Sequence, residues 1–258
     1  LFAGGVRQWA GDWVGAEANF AELETIELGP LHASGLHEGR AAMASYRGDS
    51  EAAQREFEEA TRFGGDFDAA PQLQNSEGFR ADSLFSFQQF GEAMKLAIQA
   101  WGHVPEYSDF MDLAVSGAVA LGDARTLDAL DARREEPENN STTEATLAHL
   151  DGARAAMRGA WDEARLGYRR AIEIRRDLEL AMIAARLGLE LDAILGARYE
   201  DAREEGRRAE ETFVSVGAAE YPFRYRAAYA GPVAPTAGEA TSRRALPVES
   251  EVDAEQPA

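Results

Sequence analysis

Histidine is the first residue type to weigh for chemistry, because it titrates near neutral pH and ligates metals. The chain has four: His32, His37, His103 and His149. His32 and His37 are five apart, which puts them on different faces of a helix. None sits in a His-Glu-x-x-His arrangement, so the spacing predicts no metal site. Two carboxylate pairs, Asp109 with Asp112 and Asp128 with Asp131, stand three residues apart and share a helix face. Such a pair holds a divalent ion only when a second cluster faces it; the plainer expectation is solvated helix surface. A phosphate-binding loop needs a glycine-rich turn running into Gly-Lys-Ser/Thr. The one lysine, Lys95, lies instead in Ala93-Met94-Lys95-Leu96, and Gly64-Gly65 reads as a helix terminator. No serine has a Gly-x-Ser-x-Gly setting, and the absence of cysteine removes thiolate nucleophiles, thiolate metal sites and disulfides. Asn139 and Asn140 both fit the glycosylation sequon, but they read as a polar loop before the capping box Ser141-Thr142-Thr143-Glu144. The residues predict no catalytic set, no cofactor and no metal.

What positions these side chains is a repeat. A small residue is followed two positions on by an aromatic or small residue, and three further by alanine in most cases. The pattern reads Gly11-Asp12-Trp13…Ala16, Gly48-Asp49-Ser50…Ala53 and Gln88-Gln89-Phe90…Ala93. It continues as Gly122-Asp123-Ala124…Leu127, Gly159-Ala160-Trp161…Ala164 and Ala197-Arg198-Tyr199…Ala202. Fixed-interval self-similarity of this length is the mark of repeat architectures. After each turn, apolar or small residues recur at intervals of three and four, as in Ala53, Phe57, Ala60 and Ala164, Tyr168, Ala171, which predicts amphipathic helices. Seven residues before each turn stand Gly4, Ala41, Ala81, Val115, Gly152 and Glu190. Five of the six are compact and let two helices approach closely; Glu190 is the exception.

Composition narrows the partners. A formal charge of −20, from 46 acidic against 26 basic residues, repels phosphate backbones and anionic lipid. Neither direct nucleic-acid binding nor membrane binding is expected. Arginine in place of lysine, with abundant alanine and glycine, suggests a GC-rich bacterial genome, and the acidity is also compatible with a salt-adapted host. No apolar run nears the ~20 residues that a membrane crossing needs, and the first residues show no basic-then-apolar signal pattern. A cytoplasmic location is the expectation.

The segment Gly159-Ala160-Trp161-Asp162-Glu163-Ala164, with Tyr168 and Ala171, resembles the second-helix signature of the tetratricopeptide repeat, and Gly48 to Ala60 is similar. Pro105 falls where that family often closes a unit. The fourth unit departs from the pattern at Ala124 and Leu127, and the first helices lack the family's large aromatics. The resemblance implies an all-α fold: an α-solenoid of about six helix–turn–helix units over residues 1–216, turning near 11, 48, 88, 122, 159 and 197, wound as a right-handed superhelix. Units of this kind gain stability by stacking on neighbours, without one central core. A chain beginning inside a first helix is expected to be a piece of something larger. Residues 217–230, with Tyr221, Phe223, Tyr225 and Tyr229, are expected to cap the last unit; a strand or partner-binding segment is the rival reading. Residues 231–258, rich in Pro, Ala, Ser, Thr and Glu, read as a disordered tail.

In this family the first helices line a concave face. Its groove positions carry over to Glu38, Tyr46, Asn75, Asp82, Phe85, Asp109, Asp112, Ser116, Thr146, His149 and Met157. That set holds four carboxylates and no lysine or arginine, so the expected partner is a protein or peptide segment that is neutral or basic, with Tyr46 and Phe85 as apolar anchors. The alternative is that these side chains are merely solvated. The functional expectation is a protein–protein interaction scaffold with no catalysis of its own. A second reading is the C-terminal sensor arm of a larger bacterial signalling ATPase, of the adenylate cyclase-like or LuxR-type kind, which Ala153 to Gly217 loosely resembles. A third is an all-helical enzyme with an unrecognised site.

Overall fold

A computed structural model describes residues 2–64, 70–103, 108–134 and 141–229, with side chains at 2–3, 64, 70–76, 103 and 108 outside the description. The tail at 231–258, the linker at 135–140, Pro105 and the side chain of Asn75 therefore lie outside the described residues. The described residues form thirteen helices and no strand. They are α1 (Phe2–Ala10), α2 (Trp13–Leu23), α3 (Pro30–Arg47), α4 (Ser50–Gly64), α5 (Ala70–Ser86), α6 (Phe90–His103) and α7 (Ser108–Leu121). They continue as α8 (Ala124–Asp131), α9 (Ser141–Met157), α10 (Trp161–Asp177), α11 (Ala181–Leu195), α12 (Glu200–Ser215) and α13 (Tyr221–Tyr229). No helix among the described residues is long and apolar enough to cross a membrane.

Successive helices pack on each other, and α3, α5, α7 and α9 also touch in series. The turns between them share one construction. Gly11, Gly48, Gln88, Gly122 and Gly159 all have positive φ. The amide of the residue after each bonds to the carbonyl five positions back, as in Asp12 to Arg7 at 2.8 Å, Asp49 to Ala44 at 2.9 Å and Asp123 to Ala118 at 2.8 Å. This is the Schellman closure, which satisfies orphan carbonyls at a helix end. In three of the turns the following aspartate then caps the next helix: Asp12 accepts from the Gly15 amide, Asp49 from Ala52 and Asp123 from Thr126. Gly-Asp thus ends one helix and starts another in two residues. The turn near 197 is built differently, with Gly196 in the right-handed helical region and Tyr199 extended.

Pairs pack through small residues. A Cβ on Gly167 of α10 would lie 2.6 Å from the Cα of Gly152 on α9, so the two backbones are in direct contact there. The outer helices show one buried stripe each. In α12 it comprises Ala202, Gly206, Ala209 and Phe213, at helical spacing.

The expectation of a stack with no central core needs correction. Met182 through Leu191 of α11 are buried without interruption, ten residues covering every side of the helix. Helix α11 packs on α10, α12 and α13, and α1 from the start of the chain closes onto it as well. The physical reason is in the α11 sequence, Ala-Met-Ile-Ala-Ala-Arg-Leu-Gly-Leu-Glu-Leu, which is apolar or small on all faces save for Arg186 and Glu190. A helix of that composition is driven to be covered on every side, here by α1, α10, α12 and α13.

Candidate functional site

The two charged residues of α11 organise the interior. Glu190 is fully buried and accepts from Ser116 Oγ of α7 at 2.6 Å, from the Tyr168 hydroxyl of α10 at 2.6 Å and from the Tyr225 hydroxyl of α13 at 3.1 Å. The His149 ring of α9 lies between two carboxylates, with Nδ1 3.0 Å from Asp112 and Nε2 3.2 Å from Glu190. A carboxylate accepts and does not donate, so both ring nitrogens carry hydrogen and the ring is an imidazolium. Burial alone would lower its pKa, but the Glu190 charge and the hydrogen bonds to Asp112 and Glu190 outweigh it and raise it to about 9. Burial likewise pushes Asp112 up, yet the Arg175 guanidinium and His149 hold it at about 2. Glu190 is lowered by the same balance, with His149 overcoming burial.

Arg175 of α10 and Arg186 of α11 complete the network. Arg175 pairs with Asp112, donates to Thr146 Oγ1 at 2.8 Å and lies 2.8 Å from Asp109. Asp109 is the open edge, with its side chain 39% exposed. Arg186 donates to Asp82 Oδ1 at 2.8 Å, which also accepts from the Tyr46 hydroxyl at 3.0 Å. Burial raises the Asp82 pKa, against the pull of Arg186 and Tyr46. Four carboxylates (Asp82, Asp109, Asp112, Glu190) therefore face three cations (Arg175, Arg186, His149) across helices α5, α7, α9, α10 and α11.

The structure brings together Tyr46, Asp82, Phe85, Asp109, Asp112, Ser116, Thr146 and His149 of the expected groove. All of these except Asp109 are buried, so they are neither solvated nor free to meet a partner in this conformation. Tyr46, expected as an anchor for a partner, packs on Trp13, Phe213 and Tyr221; Phe85 packs edge-on to Phe90 and against Tyr225. Glu38 is also buried and accepts from Ser34 at 3.1 Å, in a separate place. Met157 is partly buried against the core. The carried-over set holds no arginine, yet Arg175 and Arg186 reach this face: Arg175 comes from α10, which follows a turn, and Arg186 from α11, beyond the last position carried over, Met157. The expectation of solvated carboxylate pairs fails for Asp109 and Asp112, which Arg175 bridges with Asp112 fully buried, while Asp128, 69% exposed, stays on the surface with Asp131, the two paired with Arg154 at 2.9 and 2.6 Å. Among the described residues no cluster of His, Asp or Glu is arranged to hold a metal.

The occupant of the face is α13. Its tyrosines Tyr221, Tyr225 and Tyr229, one turn apart, are all buried. The Tyr229 hydroxyl donates to the Ser116 carbonyl at 3.0 Å. Arg224 donates to the Ser45, Tyr46 and Ser86 carbonyls at 3.2, 2.9 and 3.3 Å, closing the C-terminal ends of α3 and α5. Arg226 pairs with Asp192 at 2.7 Å and with Glu210.

Chemically the cluster is an ionic lock. His149 is already protonated and offers no base at neutral pH, and Ser116 donates to a carboxylate rather than to the imidazole. Sequence reasoning missed Arg175, Arg186 and the role of Glu190. The one signal was Glu190 itself, a charged residue where the other five occurrences of the sequence pattern place a compact one. No protein-family model, curated protein or solved structure matches this chain.

Proposed function

We propose that the chain is a protein–protein interaction scaffold, built of about six tetratricopeptide-like helix–turn–helix units and without catalysis of its own. The observation that supports the unit reading is the turn. A left-handed residue and a carbonyl closure five positions back recur at 11, 48, 88, 122 and 159, where the sequence repeat falls. A second support is the side-chain chemistry of the interior, where the buried His149 is locked between the carboxylates of Asp112 and Glu190.

Partner preference follows from charge. A chain with a formal net charge of −20 favours neutral or basic segments and steers them at low salt. The test is a peptide array of graded charge probed with the labelled full chain. Basic peptides are expected to bind and to weaken as salt rises through the screening range. Retention of acidic C-terminal peptides in preference to basic ones would overturn the reading.

A further inference from the structure

We propose that the partner this scaffold takes is a short basic helix bearing tyrosines one turn apart, and that α13 holds its place in the free chain. The inference rests on the scaffold reading and names the partner for the interior face.

Three observations support it. First, α13 has the chemistry expected of a partner rather than of the scaffold. Tyr221–Tyr229 contains Arg224 and Arg226 and no acidic residue, in a chain that is otherwise strongly acidic. Second, its attachments are those of one protein gripping another. Tyr225 donates to Glu190 and Tyr229 to a main-chain carbonyl, while Arg226 meets Asp192 and Glu210. Arg224 reaches helix-end carbonyls of α3 and α5. The register is that of a helix in a groove, with anchors at i, i+4 and i+8. The opposite side is bare: Phe223 is 73% exposed. Third, α13 has little support of its own. It is nine residues long, shorter than a helix that persists alone in water, and joins α12 through a turn at Gly217, φ 78°. Removing α13 would uncover Glu190, Ser116, Tyr46 and Phe85, four residues that now hold its tyrosines.

A partner must compete with a tethered segment whose effective concentration is in the millimolar range for a short linker. Binding to the unmodified chain is therefore expected to be weak, and release of α13 should strengthen it.

The experiment uses the full chain and a fluorescent peptide of residues 218–230 as the partner surrogate, read by anisotropy. In the Tyr225→Ala/Tyr229→Ala chain the peptide is expected to bind at least about 30-fold more tightly than to the unmodified chain, as the tethered competitor is weakened. A peptide with phenylalanine at the position of Tyr225 should lose about fivefold to tenfold, the loss of one hydrogen bond to a charged acceptor. A double variant that keeps its helical circular dichroism and binds no peptide overturns the proposal. Hydrogen exchange on the unmodified chain decides the matter should the variant unfold: α13 amides are expected to exchange at least about tenfold faster than those of Met182–Leu191. Equal protection would make α13 an inseparable part of the core and overturn the proposal. Equal binding of tyrosine-free basic peptides to both chains also overturns it, while leaving the scaffold reading intact.

Discussion

The seam between α9 and α10 and the interior around α11 hold helices together by opposite means. Where the two helices of the seam cross, Gly152 and Gly167 let the backbones touch. In the interior, Glu190, His149, Asp112 and Arg175 are fully buried charges that keep each other ionised. The seam loses stability when something is added. The interior loses it when something is removed, because a buried charge left unpaired costs more than the pair contributes. Specificity therefore comes from volume in one region and from charge count in the other.

The largest effect expected from breaking this contrast is Glu190→Ala. It leaves the buried His149 Nε2–H without its acceptor, with Asp112 as the ring's remaining partner, and removes the acceptor for Ser116, Tyr168 and Tyr225. A loss of about 3–5 kcal/mol in urea unfolding is expected. A loss under about 1 kcal/mol would mean that the network is not formed. Next is Gly167→Ala, whose methyl group meets the Gly152 backbone at 2.6 Å; forcing the two helices apart should cost about 1–3 kcal/mol. An unchanged melting temperature would argue against backbone contact.

The two regions also differ in pH response. His149 has a folded pKa of about 9 against 6.5 unfolded, so its contribution is complete below about 6.5 and is lost as pH rises through 9. Asp112, at about 2, contributes above its unfolded value near 3.8 and loses that contribution as pH falls through 2. The alkaline loss, with a slope of up to about 1.4 kcal/mol per pH unit, should persist in Gly167→Ala and vanish in His149→Gln. Denaturant midpoints from pH 6 to 10 measure it; equal slopes in the two variants would remove the imidazolium from the account. The smallest effect is expected at the turns, where Asp49→Ala removes the cap on the Ala52 amide and should cost about 1 kcal/mol, read as a small midpoint shift.

What the sequence disclosed follows the same division. Gly48-Asp49 and Gly122-Asp123 could be placed as turns because their bonds span five residues or fewer. The small residue at 152 announced the close crossing with Gly167 of the next helix. Arg186 and Asp82 are 104 positions apart, and Arg175 and Asp112 are 63 apart; no spacing rule links such pairs. The resemblance places Asp82, Asp112 and His149 on a concave face open to a partner or to solvent, whereas they are buried against Arg186, Arg175 and Glu190. Asp109 and Asp112, expected as surface charges, show how far a local reading fails once a distant arginine lies against them.

The closure of α1 onto α11 has a consequence for how the chain assembles. A linear array can fray unit by unit from either end and can gain or lose a unit with little harm. Here the opening helix and the eleventh must meet before either is fully covered, so early and late segments of the polypeptide commit together. Such a molecule should melt in one step, fold slowly for an all-helical chain because its decisive encounters are distant in sequence, and tolerate no deletion of a whole unit.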